Sequence, residues 1–189
     1  MIERTLILLK PDAVKRGISG EILGRFERVA LKIVGLKMVY VDRAFALKHY
    51  PVTEKWYAKV GSNTLDDSRK YGISAKQVMG TEDPIEIGKK VHNWNVDFLT
   101  SGPIIAVVLE GLHAVEMGRK IVGNTVPSLA TPGTVRGDYS TSSALSANVR
   151  NSAIPNLVHA SGSLEEAKQE IALWFTSKEL HSYKTVHEH

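Results

Sequence analysis

The sequence predicts an α+β fold of ferredoxin-like βαββαβ order, a four-stranded antiparallel sheet with helices on one face. Three observations carry that prediction. Short apolar and β-branched runs recur at strand length, as in residues 5–9 and 103–110. Other stretches repeat apolar residues every three or four positions, as in Ile22 and Phe26, or Ala114, Val115, Gly118, Ile121 and Val122. The composition, 43% hydrophobic and 23% charged over 189 residues, suits one folded domain with a substantial core. Disorder and collagen-like structure are thereby excluded.

Residues 5–9 form a buried strand closed by Lys10-Pro11-Asp12, since proline cannot continue a ladder. From Ser19 the spacing of Ile22, Phe26, Val29, Ala30 and Ile33 predicts a helix, and residues 36–41 a second strand. Residues 44–50 predict a short helix that Pro51 interrupts. Residues 103–110 are the third strand, and the Ala114 to Val122 face makes the next helix. Residues 156–159 predict a short fourth strand. Ser163-Leu-Glu-Glu then reads as a capping box with Glu166 at N3, opening a last helix. Ala167, Ile171, Trp174 and Phe175 form its buried stripe, and Glu170 at the stripe's edge leans toward the strand bearing His159.

Two stretches look like insertions within this single domain of residues 1–189. Residues 61–97 separate the second and third strands and end in a helix announced by Asp83-Pro84. Its apolar face is Ile87, Val91, Trp94 and Phe98, able to cover a subunit surface or to pack back on the core. Residues 140–153 are small and polar and read as a loop.

Charge and targeting narrow the function. A net charge of +4 and a pI near 9.2 fit anionic ligands such as phosphates, yet are too small to demand nucleic acid. With no cysteine, disulfides, thiolate catalysis and Cys-ligated zinc are excluded. The N-terminus lacks the basic start and longer apolar stretch of a secretory signal, and the apolar run 104–109 is too short to span a bilayer. A cytoplasmic protein without membrane attachment is the expectation. His181, His187 and His189 read as a solvated C-terminus.

The common nucleotide motifs G-x-x-x-x-G-K-[ST] and G-x-G-x-x-G are absent, as is H-E-x-x-H. Instead, separated segments supply donors: Lys10-Pro-Asp-Ala, Arg119-Lys-Ile-Val-Gly-Asn-Thr125, Pro132-Gly-Thr-Val-Arg-Gly-Asp-Tyr139 and Asn156-Leu-Val-His-Ala-Ser161. Lysine, two arginines, threonine and asparagine around one histidine suit a polyphosphate and its sugar, plus a nucleophile. Taken singly, each would read as an ordinary surface charge or strand-end histidine. Their common position in loops beside strand ends favours phosphate contact.

From Glu3-Arg4-Thr5 to about Tyr183 the chain resembles the nucleoside diphosphate kinases, through E-R-T-L-I-L-L-K-P-D-A-V, T-S-G-P, P-G-T-V-R-G-D-Y and N-L-V-H-A-S in that order. The resemblance implies an enzyme that moves the γ-phosphate of a nucleoside triphosphate, typically ATP, to a nucleoside diphosphate. It implies a ping-pong route through a phosphohistidine on His159, serving NTP and dNTP pools. It further implies that Lys10 and Asn156 hold the ribose hydroxyls. Arg119, Thr125 and Arg136 would grip the phosphates, and Tyr50 would lie near the transferred group. Ser161 and Glu170 would support the imidazole. A magnesium ion is implied, held mainly by phosphate oxygens and not by protein ligands, as is a homo-oligomer, tetramer or hexamer.

Two departures from the family pattern are visible. Gly162 stands where H-x-S-D would place an aspartate, removing a carboxylate that could support water-mediated magnesium binding. The aromatic that stacks on the base falls near the first insertion, where Trp56 or Tyr57 could serve. Stacking alone implies broad base tolerance. A nucleic-acid-binding module of the same element order would need exposed aromatics on the central strands, and residues 5–9 and 104–109 carry none. An inactive scaffold would need a broken site, and Gly162 is the altered position.

Overall fold

The computed structural model describes residues 2–185, so the expectation for His187 and His189 lies outside the described residues. In chain order the elements are β1 (Ile2–Leu9), α1 (Pro11–Lys15), α2 (Ser19–Glu27), β2 (Lys32–Val39), α3 (Arg43–His49), α4 (Glu54–Lys70), α5 (Ala75–Met79) and α6 (Pro84–Leu99). They continue with β3 (Ile104–Leu112), α7 (Ala114–Val122), α8 (Val135–Tyr139), α9 (Ala144–Val149), β4 (Val158–Ala160) and α10 (Leu164–Trp174). The four strands pair antiparallel in the order β2-β3-β1-β4, the expected ferredoxin-like sheet.

β1 lies inside the sheet and is buried on both faces. Its alternate residues feed two cores, as a period-two strand must. Ile7 and Leu9 pack with Ile22, Phe26, Val107, Leu109 and Val122 beneath α2 and α7. Leu6 and Leu8 pack with Ala46, Val96, Leu99, Trp174 and Phe175 from α3, α6 and the α10 end. The two helices of the βαββαβ repeat do share one face. Helices on one face alone is corrected, because β1 and β3 present apolar residues on both sides and the second side needs its own cover.

Several boundaries differ from the expected ones. α2 stops at Glu27, and Ala30 adopts a left-handed φ of 61°, so Ile33 belongs to β2 and not to the helix face. β4 starts at Val158 because Leu157, with φ 68°, turns the chain just before it. The loop expected at 140–153 contains α9, opened by a Ser143–Ser146 capping box. At Ser163 only half of the expected box forms. The Ser163 hydroxyl accepts from Glu166 N, but the Glu166 carboxylate accepts from Gly162 N at 2.8 Å.

α4 and α6 are joined almost backbone to backbone. A Cβ on Gly61 would come within 1.9 Å of the Pro84 carbonyl oxygen, and one on Gly88 within 2.2 Å of that of Tyr57. Glycine is what lets α4 lie close against α6 here. Asp83 caps α6 by accepting from Ile85 N and Glu86 N, with Pro84 at the first helical position.

Candidate active site

A cavity of about 770 Å³ opens between the C-terminal end of β1, the turn before β4, and helices α4, α6, α7 and α9. It is lined by Lys10, Tyr50, Trp56, Arg119, Thr125, Arg136, Asn156, His159 and Glu170. Residues up to 160 positions apart in the chain thus meet in one cleft. Ser161 is fully buried behind that wall, and Tyr57 does not line the cavity. Of the two expected aromatics, Trp56 alone faces it. Trp94 also lines it, while Phe98 lies beneath the Lys10 ammonium at 5.9 Å.

The Lys-Pro-Asp turn accounts for much of this geometry. The Lys10 ammonium donates to Asn156 Oδ1 at 2.9 Å, and Pro11 starts α1. The Asp12 carboxylate accepts from Leu157 N at 3.0 Å, securing the left-handed turn that delivers His159 onto β4. Arg136 clamps the same turn, donating from Nε to Asn156 O at 3.0 Å and from Nη1 to Gly123 O at 2.8 Å. Asn156 Nδ2 donates to Thr125 O at 2.9 Å. Arg119, by contrast, is exposed, leaving its guanidinium free to meet a ligand.

Behind His159 lies a carboxylate relay. Ser161 Oγ donates to Glu170 Oε2 at 2.6 Å, and Glu170 Oε1 lies 2.7 Å from His159 Nε2, off the line of a hydrogen bond. Glu170 is buried, as its place on the α10 stripe led us to expect. Burial pushes its carboxyl up, against the Ser161 hydroxyl and His49. Burial also holds the His159 imidazole down at about 3, helped by Lys10, Arg136 and Arg119 and opposed by Glu166. His159 is therefore neutral near pH 7, with a free lone pair. Lys10 is lowered to about 8 by burial and then Arg136, against Asp12. Arg136 is lowered to about 10 by burial and then Arg119, and burial raises the Tyr50 phenol.

Three groups escaped the sequence reading. His49, at the end of α3, is buried edge-on to His159 with ring centroids 4.6 Å apart, and its Nδ1 accepts from the Trp174 indole at 3.2 Å. Burial and His159 hold it well below the usual histidine range. Its adjacency to Tyr50 was the available signal. Asp12 was visible inside the Lys-Pro-Asp segment. Glu166 was assigned only to a cap, yet it lines the cavity and fills the space a side chain at Gly162 would need.

A four-stranded antiparallel sheet covered by helices on both faces, with a histidine, a lysine and two arginines around one cleft, makes a site built for phosphoryl transfer. The comparisons agree. The nucleoside diphosphate kinase family model matches residues 3–60 and 74–180. A nucleoside diphosphate kinase of Pyrobaculum aerophilum is 46% identical over 179 residues, covering 95% of this chain and 98% of that protein. One of Borreliella burgdorferi is 35% identical over 184 residues, covering 97% and 93%. Among solved structures, an NDP kinase from Pyrobaculum aerophilum superposes with a TM-score of 0.91 at 43% identity, covering 96% of this chain and 100% of that one. A Borrelia burgdorferi nucleoside-diphosphate kinase, a transition-state mimic with vanadate and ADP, superposes with a TM-score of 0.78 at 35% identity, covering 98% and 94%. The chain belongs to the nucleoside diphosphate kinase family and is an enzyme of phosphoryl transfer between nucleotides.

Proposed function

We propose that this enzyme works by a ping-pong route in which His159 Nδ1 carries the phosphoryl group. The observation that supports this reading is the Ser161–Glu170–His159 alignment: Nε2 is buried 2.7 Å from a carboxylate, which leaves Nδ1 to face the cavity. In the first half-reaction the Nδ1 lone pair attacks the γ-phosphorus. A P–N bond forms, the bond to the β–γ bridging oxygen breaks, and the nucleoside diphosphate leaves with that electron pair. In the second half-reaction a terminal oxygen of another nucleoside diphosphate attacks the same phosphorus, and the imidazole is released. Glu170 supports the positive charge that grows on the ring, and the transfer asks chiefly for positioning and charge stabilisation.

Lys10 and Asn156 are assigned to the ribose hydroxyls, Arg119, Thr125 and Arg136 to the phosphates, Tyr50 to the transferred group, and Trp56 to the face of the base. The cavity fits a magnesium ion carried in on the nucleotide. The one compact cluster of metal-ligating groups among the described residues is His49, His159 and Glu170, whose two imidazole nitrogens are poorly suited to a hard cation. Glu166 is the carboxylate on the wall beside Arg119, and it stands in for the one that Gly162 lacks. When bound, the ion neutralises charge on the transferring phosphates.

An assembly of dimers is supported by the edge strand β2, where Leu36 and Met38 are 52% and 60% exposed, and by Tyr40 just beyond it, 75% exposed. We assign to it the maintenance of nucleoside triphosphate pools, with the cytoplasm as its site of action. No helix among the described residues is long and apolar enough to cross a membrane. The test is incubation with γ-labelled ATP and Mg²⁺ without acceptor. Acid-labile, base-stable label is expected on the protein and is expected to leave on adding a nucleoside diphosphate. Label persisting in His159→Ala would overturn the assignment.

A further inference from the structure

Trp174 closes α10, 3% exposed in the core, with its ring edge-on to Phe45 at 4.9 Å between centroids. A buried indole N–H needs an acceptor, and a backbone carbonyl would serve it well. Here the acceptor is a side chain beside the nucleophile: Trp174 Nε1 donates to His49 Nδ1 at 3.2 Å. An indole nitrogen only donates, so Nδ1 must present its lone pair. Burial and His159 hold His49 well below the usual histidine range, so the ring is neutral and carries its one proton on Nε2. That Nε2–H is buried and has no partner among the described residues. The fold therefore holds His49 in the tautomer that leaves its donor unused.

The other tautomer has a partner at hand. Glu170 Oε1 lies 3.8 Å from His49 Nδ1, just beyond hydrogen-bond reach, and a proton on Nδ1 would give a charge-assisted bond to that oxygen. The same oxygen lies 2.7 Å from His159 Nε2. Oε2 is already taken by the Ser161 hydroxyl at 2.6 Å. His49 and His159, edge-on at 4.6 Å, are thus rivals for one carboxylate oxygen. With Nδ1 unprotonated, His49 offers that oxygen only a lone pair and cannot bond to it. Resting on the phosphohistidine reading, we infer that Trp174 is a positioning residue: its indole N–H fixes the tautomer of His49 and so reserves Glu170 for His159. Trp174 does not line the cavity, and it acts on His159 through His49 and Glu170.

The test joins the tautomer to the chemistry. In the wild-type enzyme carrying ¹⁵N-histidine, the His49 NMR signals, assigned by their loss in His49→Phe, are expected to place the proton on Nε2. In Trp174→Phe the proton is expected to move to Nδ1. The single-turnover rate at which γ-labelled ATP with Mg²⁺ labels His159 should then fall about tenfold, as on loss of an orienting partner, with little change in ATP affinity. Adding His49→Phe to Trp174→Phe removes the rival donor and should recover most of that rate, which a loss of packing alone would not do. A proton on Nδ1 in the wild type would overturn the proposal, as would an unchanged rate in Trp174→Phe or a double variant no faster than the single one. If Trp174→Phe does not fold, Trp174→Tyr keeps more of the ring volume, lacks the indole N–H and carries the same test. Label that forms on the wild type and is lost in His159→Ala, but at a rate indifferent to Trp174, removes this role alone. No label on the folded wild type removes the catalytic reading beneath it.

Discussion

At the scale of single residues, the site sets neutral and charged groups against one another by burial. His159 is already neutral at neutral pH, so its titration does not limit the reaction there. Lys10, lowered to about 8, does titrate in an accessible range. For the free enzyme, kcat/KM is expected to fall as pH rises through about 8, because the ammonium becomes neutral and loses the nucleotide. Lys10→Arg, which stays charged, should lower overall activity but remove that limb. An unchanged alkaline limb in this variant would show that another group is responsible. Behind the histidine, Ser161→Ala or Glu170→Gln removes the support seen at 2.6 and 2.7 Å. Each is expected to cut kcat by roughly tenfold or more with little change in KM, as loss of an orienting partner does. Steady-state kinetics with saturating ATP separates the two parameters.

Among the elements, the pairing of α4 with α6 governs the shape of the cleft. Both helices line it, and they approach closely only because Gly61 and Gly88 lack side chains. Gly88→Ala puts a methyl 2.2 Å from the Tyr57 carbonyl, which must move. A loss of about 1–3 kcal/mol is expected in urea unfolding, the range for overpacking at a tight contact. Because Trp56 moves with α4, nucleotide KM should rise as well. A variant as stable as the parent with unchanged KM would mean that α4 and α6 separate without consequence. The turn before β4 is the other decisive element. Leu157 is held left-handed by Asp12 and the Lys10 backbone, and that turn aims His159 at the cavity.

For the whole molecule, acid should unfold this protein early. His49 and His159 are depressed by burial, so the unfolded chain binds protons that the fold excludes. The His159 contribution is complete above the unfolded histidine value of about 6.5 and is lost as pH falls toward 3, and His49 acts in the same direction. Glu170 and Asp12, pushed upward, offset part of that loss by taking up protons in the fold at low pH. Urea midpoints should therefore drop between pH 7 and pH 4, and His159→Asn should flatten the drop. A midpoint independent of pH over that interval would contradict the assignment. The exposed edge of β2 makes a second prediction at this scale. Leu36→Glu with Met38→Glu places charge on the strip and is expected to shift the mass measured by light scattering toward the single chain.

What the sequence determined by itself was local and chemical. Element order, strand runs, the Asp83-Pro84 helix start and the segments bearing Lys10, Arg119, Arg136, Asn156 and His159 were legible, because periodicity and motif chemistry act between near neighbours. Glu170 was legible too, since a helix stripe fixes which way its edge faces. Tertiary structure decided the rest. Ile33 fits a helix face by spacing but joins β2, where pairing with Leu109 fixes it. The polar 140–153 stretch yields α9 only where a cavity wall can receive it. His49 and His159, 110 residues apart, become neighbours because α3 and α10 cover the same face of a sheet ordered β2-β3-β1-β4. No short-range pattern encodes such a meeting. It exists once both faces of β1 must be buried and distant segments are brought in to bury them.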